Sequence, residues 1–99
     1  MKNKMRPIHP GEILREEINA IQLSANAFAK KLYVSANRIT AIINGQRGIT
    51  ADTAIRLAKF FKTTPEFWLN LQSDYDLKVA LKKNGKEIDH RIVPYEDAA

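Results

Sequence analysis

The chain has 99 residues, 44% of them apolar, which is enough for one modest core and a single domain. Sixteen lysines and arginines against 11 acids leave a net charge of +5, and the lack of cysteine excludes disulfides and thiolate metal sites. The basic start, Met1 to Arg6, is followed by no apolar signal region, and no run approaches a membrane span, so a cytoplasmic protein is expected.

Residues 1–7 read as a flexible N-terminus. Pro10 then suits the first position of a helix that carries Ile13, Leu14 and Ile18, with Glu12 near its positive end, and that runs to about Ala20. Ser24 and Ser35 each precede a short run with helical apolar spacing, as N-cap residues do when their hydroxyls accept from first-turn N–H groups. Two helix starts eleven residues apart leave room only for a tight turn. Phe28, Ala29 and Leu32 form the inner face of the first of these helices, and Val34, Ile39 and Ile42 continue it beyond the turn. Ala29 is small where the two helices must cross closely. Asn44-Gly45 ends the second, with Gly45 suited to a left-handed residue after the helix.

With Ile39 and Ile42 turned inward, Ala36, Asn37, Thr40 and Ala41 face outward and Arg38 lies on the flank. Small and amide side chains permit close approach to a DNA groove. Asn pairs bidentately with adenine, Arg with guanine, and Thr or Ala methyls touch thymine methyls. Cap spacing, turn and outer face together predict a helix-turn-helix that binds DNA. Residues 24–62 hold Lys30, Lys31, Arg38, Arg47, Arg56, Lys59 and Lys62 against Asp52 alone, a net +6. Phosphate contacts would therefore supply much of the affinity and make it salt dependent. Lys30 is expected to bind all DNA alike, and Gln46 and Arg47 are candidates for backbone contacts.

Thr50 caps the next helix, in which Ala54, Leu57, Ala58 and Phe61 recur at helical spacing. Thr64-Pro65-Glu66 opens a fifth with a cap, a first-turn proline and an acid. The expected fold is all-α, a five-helix domain over residues 8–82. The fifth helix carries Phe67, Trp68, Leu69, Leu71, Tyr75, Leu77, Val79 and Leu81, more apolar circumference than one core-facing stripe requires. A second copy is the simplest cover, because two recognition helices about 34 Å apart read a palindrome. Trp68, Leu71, Tyr75, Leu77, Val79 and Leu81 are the expected dimer interface, with Trp68 also expected in the core under either arrangement. The alternative is that the aromatics complete the monomer's own core. Asn84-Gly85 is expected to break the helix, leaving residues 83–99 as a C-terminal extension. There Ile88, His90 and Ile92 alternate with Asp89, Arg91 and Val93 in a period of two, so the segment reads as one short strand or a free tail.

Nothing suggests catalysis, a metal or a cofactor. His9 and His90 are far apart and belong to no metal-binding helix motif, no nucleophilic cysteine exists, and the glycines form no phosphate loop. Glu12 and Glu16 at i, i+4 read as a solvated, dipole-favoured face.

The helix-turn-helix resembles the Cro/C1-type, or XRE, family with a lambda-repressor-like fold. His9-Pro10-Gly11-Glu12-Ile13-Leu14, Asn44-Gly45-Gln46-Arg47-Gly48-Ile49-Thr50 and Thr64-Pro65-Glu66-Phe67-Trp68-Leu69-Asn70-Leu71-Gln72, followed by Tyr75-Asp76-Leu77, look like the HigA-type antitoxins. The resemblance spans about residues 8 to 81. It implies an antitoxin that neutralises a HigB-like toxin, a ribonuclease of RelE-like fold that cleaves mRNA on the ribosome, and that represses its own operon as a homodimer on operator DNA. It implies a recognition helix from Ala36 to Asn44, with Asn37, Arg38, Thr40 and Ala41 facing bases and Ser24, Asn26, Ser35, Asn44 and Arg47 near phosphates. Two positions depart from the pattern: Ala25 stands where many such motifs have Gln, and Tyr33 where many have a turn Gly. Tyr33 must accept an unusual backbone angle, or the turn must differ. A stand-alone regulator, needing only DNA and itself, fits the same motif. The toxin would be expected to contact the first helix or the C-terminal segment.

Overall fold

Each helix starts where a side chain satisfies an open first-turn N–H. In the computed structural model, which describes residues 6–96, these starts define α1 (Pro10–Ala20), α2 (Ala25–Leu32), α3 (Ala36–Ile43), α4 (Ala51–Phe61) and α5 (Pro65–Arg91). Ser24 Oγ accepts from Ala27 N at 3.1 Å, Ser35 Oγ from Arg38 N at 3.2 Å, and Thr64 Oγ1 from Phe67 N at 3.1 Å. His9 caps α1 through its ring, Nδ1 accepting from Gly11 N at 2.9 Å. Pro10 and Pro65 follow their caps, where a missing N–H costs nothing.

The ends of α1 to α4 share one device. A residue at positive φ closes the last turn, and the next N–H bonds back five residues: Leu23 to Ile18, Val34 to Ala29, Gln46 to Ala41 and Thr63 to Ala58. Only Gly45 is the glycine this geometry favours; Gln22, Tyr33 and Lys62 adopt it at φ 59°, 59° and 60°. Tyr33 thus accepts the left-handed backbone the turn demands, with its ring left in solvent.

Leu14, Ile18, Phe28, Leu32, Ile39, Ile42, Ile49, Leu57 and Trp68 form one core drawn from all five helices and the loop before α4. Phe28, Phe60, Phe61 and Trp68 form a connected aromatic cluster with centroids 5.0 to 5.8 Å apart. Trp68, grouped with the expected dimer interface but also expected in the core, belongs to the core: it is 1% exposed and its Nε1 donates to Thr63 Oγ1 at 2.9 Å. Two close approaches fix the heights of the helices. A Cβ on Gly11 would strike the Ile42 carbonyl, so α1 rests directly on the end of α3. Gly48 lies so near Gln72 that a Cβ would sit 3.0 Å from its carboxamide.

The fifth helix corrects the expectation of a break at Asn84-Gly85 and of a strand over Ile88 to Val93. It runs 27 residues to Arg91, across the expected boundary between 82 and 83, and the described residues contain no strand. One interior glycine costs a helix only about 1 kcal/mol. Good helix formers surround it, and Glu87 pairs with Arg91 at i, i+4 and 3.3 Å. The alternation forms no strand because Ile88 to Arg91 complete the last turn of α5, and Ile92, its cap, takes extended backbone. Ile92 to Glu96 follow without regular structure. Because α5 extends well past the core, the chain measures 57 × 28 × 24 Å with a radius of gyration of 17.2 Å, against about 13 Å for a globular chain of this length. The expected flexible N-terminus falls mostly outside the described residues, and Arg6 is held by a two-bond pairing with Glu12 at 2.8 Å.

Candidate nucleic-acid interface

Ala29, 1% exposed, marks the crossing of α2 and α3. Ile39 and Ile42 are fully buried, which fixes the rotation of α3 about its axis. At 100° per residue this sends Asn37, Thr40, Ala41 and Asn44 to the opposite side. Asn37, Thr40 and Asn44 are exposed and Ala41 is half-buried among them. The outer face thus carries two amides, one hydroxyl and one methyl, a set able to read base edges. Ala36, expected to face outward, is half-buried against the core instead. Ser24, Asn26, Lys30, Ser35, Gln46 and Arg47 are exposed. Ser24 and Ser35 sit at the N-termini of α2 and α3, where open N–H groups and the helix dipole favour an anion.

Arg38 is placed differently from the expectation that it faces bases. Its Nη1 donates to Asp52 Oδ2 at 2.7 Å and to Thr53 Oγ1 at 3.4 Å, directing the guanidinium toward α4. Arg56 Nε donates to the same Asp52 oxygen at 2.9 Å, and its Nη1 donates to the Leu32 carbonyl at 2.8 Å. One carboxylate on α4 therefore holds α3 through Arg38 and the end of α2 through Arg56. The two arginines, Arg38 first, hold the Asp52 carboxyl below the usual range. Asp52 and Arg56 were not singled out from the sequence for this role. Their i, i+4 spacing was a signal for their mutual pairing, but nothing local pointed to Arg38.

The loop after α3 is tied to α5. Gln72 Oε1 accepts from Ile49 N at 2.7 Å, while its Nε2 donates to Asp76 Oδ1 at 2.9 Å. This bond sets the position of the segment that carries Gln46 and Arg47. The remaining residues expected in a dimer interface divide in two. Leu71 packs on the core and Tyr75 meets His9 edge-on at 4.9 Å, whereas Leu77 and Leu81 are 58% and 57% exposed. Val79 is 37% exposed, on a different side of α5 from Leu77 and Leu81.

Two helices crossing at a buried alanine, a tight left-handed turn and an outward polar face define a helix-turn-helix DNA-binding domain. A helix-turn-helix family model matches residues 14–68, and the chain belongs to that family, in its Cro/C1 (XRE) branch. Its structural neighbours are HigA-family antitoxins. An addiction module antidote protein of the HigA family from Coxiella burnetii is 65% identical, with a TM-score of 0.90 over 92% of this chain and 100% of that one. Antitoxin HigA of Pseudomonas aeruginosa, solved with the higBA promoter, is 51% identical, with a TM-score of 0.88 over 92% of this chain and 100% of that one. Virulence-associated protein I of Dichelobacter nodosus is 52% identical over 94 residues, 94% of this chain and 85% of that protein. No helix among the described residues is long and apolar enough to cross a membrane.

Proposed function

We propose that this chain is the antitoxin of a HigBA-type pair: it neutralises a RelE-like, mRNA-cleaving toxin by binding it and represses its own operon as a homodimer on palindromic DNA. The observation that carries the reading is the outer face of α3, with Asn37, Thr40, Ala41 and Asn44 presented from a helix that Ile39, Ile42 and Arg38 hold in place. Its support from relatives is the likeness, over nearly the whole chain, to HigA antitoxins, one of them solved with promoter DNA.

In this reading Asn37, Thr40, Ala41 and Asn44 meet base edges. Ser24, Asn26, Lys30, Ser35, Gln46 and Arg47 meet phosphates. Arg38 is a positioning residue whose charge, shared with Asp52, steadies the recognition helix. The dimer forms through the exposed side of α5, where Leu77 and Leu81 lie in water in the single chain.

The test is co-expression with the product of the adjacent reading frame, scoring growth and copurification. Growth arrest by the neighbour alone, rescued as a stable complex, is expected. A neighbour that neither arrests growth nor copurifies leaves a stand-alone helix-turn-helix regulator.

A further inference from the structure

Tyr33 holds the left-handed turn between α2 and α3 at φ 59° with 89% of its surface in water. Glycine would take that backbone without strain, and an aromatic ring left in solvent returns little to the single chain. Strain kept beneath an exposed ring points to what the ring meets outside the chain.

The ring lines a shallow groove of about 360 Å³ between the end of α2 and α4, together with Leu32, Ile55 and Phe60. Ile55 is 58% exposed, and Lys59 stands one turn beyond it on the same face of α4. Lys59 and Lys31 supply cations to the lining from its two helices. Both are exposed, neither forms an ion pair among the described residues, and no acid lines the groove. The third cation, Arg56, is already committed: it bonds Asp52 and the carbonyls of Leu32 and Tyr33, which ties α4 to the turn. The two lysines therefore have charge to offer a partner.

We propose that this groove docks an acidic peptide segment of another protein, its apolar anchor between Tyr33 and Ile55 and its carboxylates on Lys31 and Lys59. The match is one of opposites, an apolar lining with free cations against an apolar side chain flanked by acids. A DNA backbone would use the lysines but leave Ile55 and the ring in water. A ribonuclease surface that grips RNA is itself basic, so the lysines select a partner other than the toxin of the proposed function. None of the lining residues is among those assigned to bases or phosphates, and peptide and operator are therefore bound together.

The test is an NMR titration of the isotope-labelled full chain with the acetylated peptide Asp-Glu-Leu-Phe-Glu-Asp. Amide shifts should concentrate at Lys31 to Tyr33 and Ile55 to Phe60. Peptides with lysines for the acids, or serines for the leucine and phenylalanine, should bind about tenfold more weakly or worse. Ile55→Gln, an exposed substitution, should weaken the peptide about tenfold and leave operator affinity unchanged. Tyr33→Gly should weaken it similarly without lowering the melting temperature. Lys31→Glu combined with Lys59→Glu should turn the preference toward the lysine peptide. Shifts that map elsewhere, or equal binding of the serine peptide, overturn the proposal. So does a loss of operator affinity in Ile55→Gln, which would make this a DNA surface, or peptide binding that fades as chain concentration rises, which would make it a contact between copies.

Discussion

Arg38 Nη1 and Asp52 Oδ2 lie 2.7 Å apart, joining the recognition helix to the helix behind it. Asp52 also takes Arg56, which reaches the carbonyl at the end of α2. Asp52 therefore supports, through Arg38, the orientation of α3 that buried Ile39 and Ile42 fix. Asp52→Asn and Arg38→Ala should both weaken operator binding by a similar factor while leaving the ranking of operator sequences unchanged. Asn37→Ala should instead cost about 1–3 kcal/mol on the preferred site and flatten the ranking. Fluorescence anisotropy on a panel of single-base operator variants separates the two behaviours; a ranking altered by Arg38→Ala would return that residue to the bases.

Acid should loosen the fold through two carboxyls. Arg6 hydrogen-bonds Glu12 and holds it down to about 2, and Arg38 and Arg56 hold Asp52 below its usual range. For depressed carboxyls, the stabilisation is fully present above the unfolded value and is lost as pH falls through the folded one. Melting temperature should accordingly fall between about pH 4.5 and pH 2, with neutral pH on the plateau. In Glu12→Gln and Asp52→Asn the neutral-pH melting point should be lower and the acid decline shallower. Both pairs are exposed, so 1 M salt should shrink the differences.

Gly11→Ala should be among the most damaging single substitutions in the chain. The new methyl has no room beside the Ile42 carbonyl, and backbone cannot rotate away as a side chain can. About 3 kcal/mol of stability should be lost in urea unfolding. DNA affinity should fall further than stability alone requires, because α1 seats the end of α3.

Tyr33→Gly should do the opposite. Tyr33 holds φ 59° with its side chain 89% exposed, so little packing is lost when the ring is removed. Relief of the left-handed backbone is worth about 1 kcal/mol, a rise of roughly 4–8 °C in melting temperature for a domain of this size. An unchanged or lower melting point would show that the ring contributes packing in the shallow groove it shares with Ile55 and Phe60.

What was legible in the sequence was local. The caps Ser24, Ser35, Thr50 and Thr64 are contacts within three residues, and each is made as read. Ala29 at the crossing and Gly45 past α3 are requirements of size and φ that single residues announce. The end of α5 was misread because Asn84 and Gly85 are breakers only where nothing opposes them; here a helix of 27 residues absorbs both. Trp68 and Leu77 stand on one apolar helix, and the core takes the first, as expected of it, while leaving the second in water. The pairs Arg38–Asp52 and Gln72–Ile49 are 14 and 23 residues apart in the chain, and no spacing rule connects them. Arg38 was accordingly read as a DNA contact from its helix alone.

Gln72 lies four residues after Trp68, on the part of α5 that leads from the core toward Leu77, and its carboxamide holds the Ile49 amide. The arm and the loop carrying Gln46 and Arg47 are thus joined by a single short bond. A partner that tilts α5 would pull that loop with it, and operator phosphates gripping the loop would in turn steady the arm. In the proposed function, a partner seated on α5 and an operator held by the loop therefore act on one shared contact, the hydrogen bond from the Ile49 amide to Gln72.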